Sequence, residues 1–311
     1  MVEKRPVGSS GIEVAPLALG GNVFGWTADE VTSFHILDAF VDAGGTMIDT
    51  ADVYSAWVPG HSGGESESLI GRWLKESGKR DRVVIATKVG MAGGLAPETI
   101  AAGCEASLTR LGVECIDLYY QHKDDGGVPL ADSLGAFDRL VAAGKIRAIG
   151  LSNFTAGRLD EAMQTARSLG LTMPAALQTW YNLVERGKFE GELRDTARRH
   201  GLAVFPFYAL ANGFLTGKYR SRDDLGKSPR GLRNVEYLDR KGVQVLAALD
   251  EIAAETGAAL ATVALAWTMA QPAVTAPIAS ATSVDQLSEL VAALHLELSP
   301  AQFERLDAAS A

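Results

Sequence analysis

The chain has 311 residues, 47% hydrophobic and 22% charged, with a formal net charge of −9. That balance belongs to a folded globular protein and argues against disorder. The negative charge argues against nucleic acid or an anionic membrane as the main partner.

Cys104 and Cys115 show neither CxxC spacing nor a disulfide framework, and read as thiols of a reducing cytosol. The five histidines form no HExxH or HxxxH pair, so no metal site is supported. The longest apolar stretches, such as "AALATVALAWTMA" (258–270), are too short to cross a bilayer. "MVEKRPVGSSGIEV" carries no apolar signal segment, which leaves a cytoplasmic expectation.

Taken in chain order, short apolar runs alternate with segments of helical period. "APLALGG" (15–21) comes first, and "TADE" (27–30) reads as a capping box opening a helix. "GTMIDT" (45–50) precedes an irregular stretch, "SAWVPGHSGGE" (55–65), and a helix over about 66–77. "RVVIATK" (82–88) leads to "APET" (96–99), with Pro97 suited to a first helical position. "IDLYYQH" (116–122), "IRAIGLS" (146–152) and "AALQTW" (175–180) are followed by helices over 130–143, 155–168 and 185–199. "LAVFPFY" (202–208) precedes a second irregular stretch, 219–237, and a helix over 241–256. "AVTAPIA" (273–279) and a helix over 283–294 end the series.

Eight apolar strands separated by helices predict a parallel α/β sheet covered on both faces. No composition break divides it, so residues 1–311 read as a single domain. An open dinucleotide-binding sheet would show GxGxxG after an early strand; "GGNVFG" (20–25) has the wrong spacing. "GFLTGKY" (213–219) is too short for a phosphate-binding loop and lacks a Ser or Thr after Lys218. The expectation is a closed (β/α)8 TIM barrel with its active site at the C-terminal strand ends.

Polar residues cluster at those ends. They are Asp49 with Tyr54 just beyond, Lys88, His122, Ser152 with Asn153, and Gln178. Each alone has a structural explanation, as a cap, a solvated side chain or a core histidine. Together on one rim they suit proton transfer to a carbonyl oxygen. A tyrosine holds its proton at neutral pH, a nearby ammonium would lower its pKa, and a histidine could orient the carbonyl. The set holds no strong nucleophile and no metal cluster, so a hydride-donating cofactor fits.

With those residues in order, the sequence resembles the aldo-keto reductases. "IDTADVYS", "IATKVG", "DLYYQHKDD", "IGLSNF", "LQTWYNLVER" and "YALANGFLTGKY" match family blocks over nearly the whole chain. The pattern is most similar to bacterial aldo-keto oxidoreductases and potassium-channel β subunits. The resemblance implies a carbonyl reductase, running reversibly to alcohol oxidation. Tyr54 would be the general acid, Lys88 and Asp49 would tune it, and His122 would orient the substrate. It further implies cofactor contacts at Ser152, Asn153 and Gln178 for the nicotinamide carboxamide, and at Phe207 as the residue facing the ring. Leu210, Gly217 and Lys218 would lie along the pyrophosphate, while Gly21, Asn22, Asp49, Tyr208 and Ala209 complete that surface.

Ser280, Thr282, Gln286 and Glu289 fall on family positions for the adenosine phosphate, and Ser283–Gln286 reads as a capping box. The block carries no Lys or Arg for a 2′-phosphate, and Arg230 in the 219–237 loop could compensate by folding over the pyrophosphate. NADP(H) is the preferred cofactor and NAD(H) its rival. Trp26 and Trp57 would line the substrate pocket with Tyr54 and His122, or else pin loops to the rim. The resemblance leaves a second reading: an NADP(H)-binding redox-sensing subunit with slow turnover. A barrel hydrolase lacks a GxSxG context at Ser152. The sequence leaves the substrate and the oligomeric state open.

Overall fold

The computed structural model describes residues 2–311. An N-terminal hairpin pairs β1 (Arg5–Pro6) with β2 (Glu13–Val14). There follow β3 (Ala18–Gly20), α1 (Glu30–Asp42), β4 (Met47–Asp49), α2 (Glu65–Ser77), β5 (Val84–Val89), α3 (Pro97–Leu111), β6 (Ile116–Gln121) and α4 (Leu130–Ala142). Then come β7 (Ile146–Ser152), α5 (Ala156–Leu169), β8 (Ala176–Trp180), α6 (Glu192–Arg199), β9 (Ala203–Phe207), α7 (Arg240–Thr256) and α8 (Leu260–Met269). The chain ends with β10 (Ile278–Ala279), α9 (Val284–Ala292) and α10 (Pro300–Ser310).

Eight parallel strands run in the order β10-β3-β4-β5-β6-β7-β8-β9 and form a nearly closed barrel inside a ring of helices. The seam between β9 and β10 carries no strand pairing, but Thr275 bridges it: its N–H donates to Val204 O at 2.8 Å and its Oγ1 accepts from Val204 N at 3.1 Å. Strands buried on both faces require continuous apolar runs. Inside the barrel, small and large residues alternate: Ala18, Met47, Ala86, Leu118, Tyr120, Ala148, Ala176 and Phe205 form one cluster with Val7, Ile12 and Val14 of the hairpin. The hairpin thus closes the N-terminal end, and the C-terminal end stays open for chemistry.

The fold expectation holds, with local corrections. The cap of α1 is Asp29, whose side chain accepts from Thr32 N, and not the Thr27–Glu30 box. The segment 273–279 narrows to two strand residues, since Pro272 and Pro277 lack ladder donors. The helix expected over 185–199 breaks into a 3₁₀ turn, Arg186–Lys188, and α6, with Gly191 at φ 94° between them. The hairpin, α8 and α10 escaped the sequence reading. Two-residue strands leave no period, and α8 is buried along its length, so it shows no amphipathic stripe. The irregular 219–237 segment folds into consecutive 3₁₀ turns, Arg222–Lys227 and Gly231–Tyr237, across the barrel rim. Among the described residues no single helix is long and apolar enough to cross a membrane.

Candidate active site

Asp49 is the last residue of β4, and Lys88 stands near the end of the neighbouring β5. The chain beyond Asp49 stays tied to β5, with Thr50 N donating to Ala86 O and Asp52 N to Lys88 O, before a turn closed by Tyr54 N and Ala51 O. This turn carries Tyr54 back over Lys88. The Lys88 ammonium donates to Asp49 Oδ2 at 2.7 Å, Thr50 O at 2.7 Å and Tyr54 Oη at 2.9 Å. All three ammonium donors are therefore committed. Because the phenolic oxygen accepts from lysine, its own O–H remains a donor.

Lys88 is 0% and Asp49 1% exposed. Burial alone would lower the Lys88 pKa, but Asp49 and Tyr54 outweigh it and hold it above the ordinary lysine value. Burial pushes the Asp49 carboxyl up, while Lys88 and the amide of Gln178, which donates to Asp49 Oδ1 at 2.8 Å, pull against it. Tyr54 departs from expectation: burial raises its pKa, Lys88 opposes the rise and Asp49 reinforces it. Asp49 already neutralises the lysine, so the lysine's pull on the phenol is weakened. The hydroxyl stays protonated through the neutral range.

The ring of His122 lies 6.1 Å from that of Tyr54, at 72°. Burial, with Lys88 and Lys123 adding to it, pulls its pKa down to about 2, so the imidazole is neutral. Its Nδ1 is buried with no hydrogen-bond partner among the described residues. Trp57 lies 6.1 Å from Tyr54 and 5.5 Å from Trp26. Trp26, Trp57, Tyr54 and His122 thus form a chain of neighbouring rings, in which Trp57 remains 49% exposed.

The proposed cofactor residues fall into groups around the same rim. Asn153 adopts φ 58° and donates its amide hydrogens to His122 O at 2.8 Å and Ser152 Oγ at 3.1 Å. Only its side-chain oxygen remains to receive a ligand N–H. Ser152 pairs in register with Gln178 on β8. Asn22 accepts from Ser280 Oγ at 2.6 Å, joining the loops after β3 and β10. A Cβ on Gly20 would meet Ser280 Oγ at 2.5 Å, so glycine permits that approach. Gly21 N donates to Asp49 O at 2.7 Å. Phe207 and Tyr208 cluster with Trp180, ring centroids 6.0 and 4.6 Å away.

Past β9, Ala209 is buried, and Leu210 begins a 3₁₀ turn that ends at Gly217, φ 77°. Lys218 is exposed, its ammonium 5.2 Å from the Tyr219 ring centre. The Ser283–Gln286 box is only half formed: Ser283 Oγ accepts from Gln286 N, but the Gln286 side chain turns to Thr282 N and Oγ1. Glu289 stands apart, linked to α8 by its carbonyl, which accepts from Thr262 Oγ1. Arg230 lies over the loop after β3, its guanidinium carbon 5.1 Å from the centre of the Trp26 ring.

Every non-glycine residue of positive φ lies in a turn after a strand: Ser55, Asn153, Tyr208, Ala211 and Asn212. Such strain persists at ligand-binding turns when the surroundings over-determine it. The amide set at one end, the strained turn beyond β9 and the capped helix start at the other end together fit a nicotinamide dinucleotide. Ser66 and Asp52 escaped the sequence reading. Ser66 donates to Gly21 O and pairs with Thr50 Oγ1, both at 2.8 Å, stapling the first loop to α2. Asp52, inside the "IDTADVYS" block, has a buried carboxylate oxygen with no partner.

Residues 16–311 match the description of the aldo/keto reductase family. The chain belongs to that family. It is 34% identical over 309 residues to the "Uncharacterized oxidoreductase YrpG" of Bacillus subtilis, covering 96% of this chain and 92% of that one. It is 30% identical to a "Probable voltage-gated potassium channel subunit beta" of Oryza sativa, with 99% and 96% covered. It is 31% identical to the "Aldo-keto reductase yakc [NADP(+)]" of Schizosaccharomyces pombe, with 91% and 84% covered. Membership of this reductase family places the chain among oxidoreductase relatives that use nicotinamide cofactors.

Proposed function

We propose that the chain is a cytoplasmic, single-domain, NADP(H)-dependent reductase of aldehydes or ketones in which Tyr54 is the general acid. The observation that carries the reading is the bridge from Asp49 through Lys88 to Tyr54 Oη, which leaves one protonated hydroxyl at the barrel mouth. A nicotinamide dinucleotide held by Asn153 Oδ1, Gln178, the turn after β9 and the start of α9 would supply the hydride. Neutral His122 offers a hydrogen bond to the carbonyl oxygen, and Tyr54 Oη delivers the proton to it. Lys88 then stabilises the phenolate left behind. The NADP(+) in the name of the fission yeast relative supports the choice over NAD(H).

Tyr54→Phe is expected to lower kcat for carbonyl reduction at least a hundredfold while leaving the NADPH Kd within about twofold, since proton transfer contributes on the order of 10²–10⁴. Cofactor oxidation and fluorescence titration check the two halves. A Phe variant with its rate intact sinks the assignment. The likeness to a potassium-channel β subunit carries a second reading, a dinucleotide-binding regulatory protein. Tight NADPH binding with negligible turnover on aldehydes, ketones and sugars would favour it.

A further inference from the structure

We infer that Tyr120 is a positioning residue of the reductase site: its buried hydroxyl is directed at the Asp49 carboxylate as a further donor beside Lys88 and Gln178. The inference rests on the reductase reading above and adds to it a side chain that touches neither substrate nor cofactor.

Tyr120 stands on β6, in register with Lys88 on β5 and Gly150 on β7. Side chains alternate along the strand. Tyr119 therefore joins the layer between sheet and helices, against Phe137, while Tyr120 enters the barrel with Leu118, Ala148 and Phe205. Its ring lies across Gly150, where a Cβ would overlap Cδ1 and Cε1 of the tyrosine. The side chain is 0% exposed, and its Oη is buried with no hydrogen-bond partner among the described residues. An atom shut off from the barrel mouth is not completed by a dinucleotide or a substrate. Phenylalanine would fill the same space without stranding a polar group, so the hydroxyl has its use inside the barrel.

Asp49 and Gln178 are the polar groups beside it. Burial pushes the Tyr120 phenol well above the ordinary tyrosine value, the Asp49 charge adds to the rise and the Gln178 amide opposes it. A phenol that keeps its proton is a permanent donor, and its hydrogen rotates to suit the charge it faces. Asp49 has room for it. Oδ2 accepts from Lys88 and Oδ1 from Gln178, whereas an ionised carboxylate offers about four lone-pair sites. The groups facing Asp49 are Lys88 on β5, Tyr54 beyond β4, Gln178 on β8 and Tyr120 on β6. Burial works against the charge on Asp49, and a dipole aimed at the charged form works for it. If Asp49 took up a proton, the Lys88 ammonium would be buried without its counter-ion, and such a group sheds its own proton. The cation that stabilises the Tyr54 phenolate would then be gone. Tyr120 thus acts on the general acid through Asp49 and Lys88.

The test compares Tyr120→Phe with Tyr119→Phe, which removes an equally buried, partnerless hydroxyl from the other face of the same strand. With NADPH and para-nitrobenzaldehyde, the acid limb of kcat is expected to move up by about one pH unit in Tyr120→Phe, a tenfold change in the proton equilibrium. NADPH binding on the alkaline side should be unchanged. Infrared titration of the Asp49 carboxyl, identified by its loss in Asp49→Asn, needs no turnover and should show the same upward shift. Tyr119→Phe should move neither readout, and urea midpoints check that both variants are folded. A shifted carboxyl in a protein that turns over no carbonyl would sink the reductase reading and keep the effect of the hydroxyl on Asp49. A carboxyl and a rate profile both unmoved in Tyr120→Phe would reduce Tyr120 to a packing group. Equal shifts in the two variants would mean a general loosening of β6. Either of these last two outcomes overturns the inference.

Discussion

Asp52 sits two residues before the proposed acid and faces charges from three elements: Glu67 on α2, Arg110 on α3 and Lys88 on β5. Burial, reinforced by the Glu67 carboxylate and opposed by Arg110 and Lys88, raises its pKa to about 6. Glu67 is satisfied, accepting from Thr87 Oγ1 at 2.5 Å and Arg110 Nε at 2.6 Å, whereas Asp52 Oδ1 has no partner. A carboxyl whose folded pKa exceeds its unfolded value binds its proton more tightly when folded. Stability is then lost as pH rises from about 4 to about 6 and stays lost above. Asp52→Asn, which cannot charge, should stabilise the protein at pH 7–8 by on the order of 1–2 kcal/mol and do nothing near pH 4. Urea denaturation at both pH values reads this directly. Equal effects at both would mean that the carboxylate is not what is strained. The sequence placed Asp52 inside the catalytic block, but the charges that single it out come from α2 and α3, far along the chain.

At the scale of elements, the site depends on how closely α2 and α3 pack behind it. Gly71 in α2 faces the end of α3, where a Cβ would meet Arg110 O at 2.2 Å and Leu111 O at 2.9 Å. Both are backbone atoms and cannot swing aside. Gly71→Ala gains up to about 1 kcal/mol of helix propensity. It must also separate two helices, and overpacking costs about 1–3 kcal/mol. The clash should win because α3 also carries Arg110, the partner of buried Glu67. Gly135→Ala in α4, whose Cβ would meet only the end of the Arg139 side chain at 3.6 Å, should gain stability instead. Thermal unfolding of the pair checks the contrast, and two changes of the same sign would refute it. Neither glycine could be told from the other in the sequence, because both sit inside helical periods. Pro97 and the long apolar strands were legible because their meaning is local.

For the whole molecule, barrel closure is the step that local signals described least well. The eightfold alternation of strand and helix was readable, and so was the rim where Asp49, Tyr54, Lys88 and His122 meet. How the ends join was not, since β10 keeps only Ile278 and Ala279 as strand, paired with Ala18 and Leu19. On its other side the seam depends on Thr275, whose hydroxyl replaces the carbonyl that a strand would present to Val204 N. Arg5 reinforces the seam from the hairpin, donating to Thr275 O at 3.2 Å and Val274 O at 3.1 Å. Thr275→Val keeps shape but leaves the buried Val204 N–H unpaired, which should cost about 1–3 kcal/mol. Ser280 follows β10 directly, so loosening the seam should also raise the NADPH Kd, whereas Gly71→Ala should lower stability with a smaller effect on cofactor. Urea midpoints and NADPH titration on the two variants separate these outcomes. A Thr275→Val protein as stable as wild type would show that the hairpin, and not the threonine, closes the barrel.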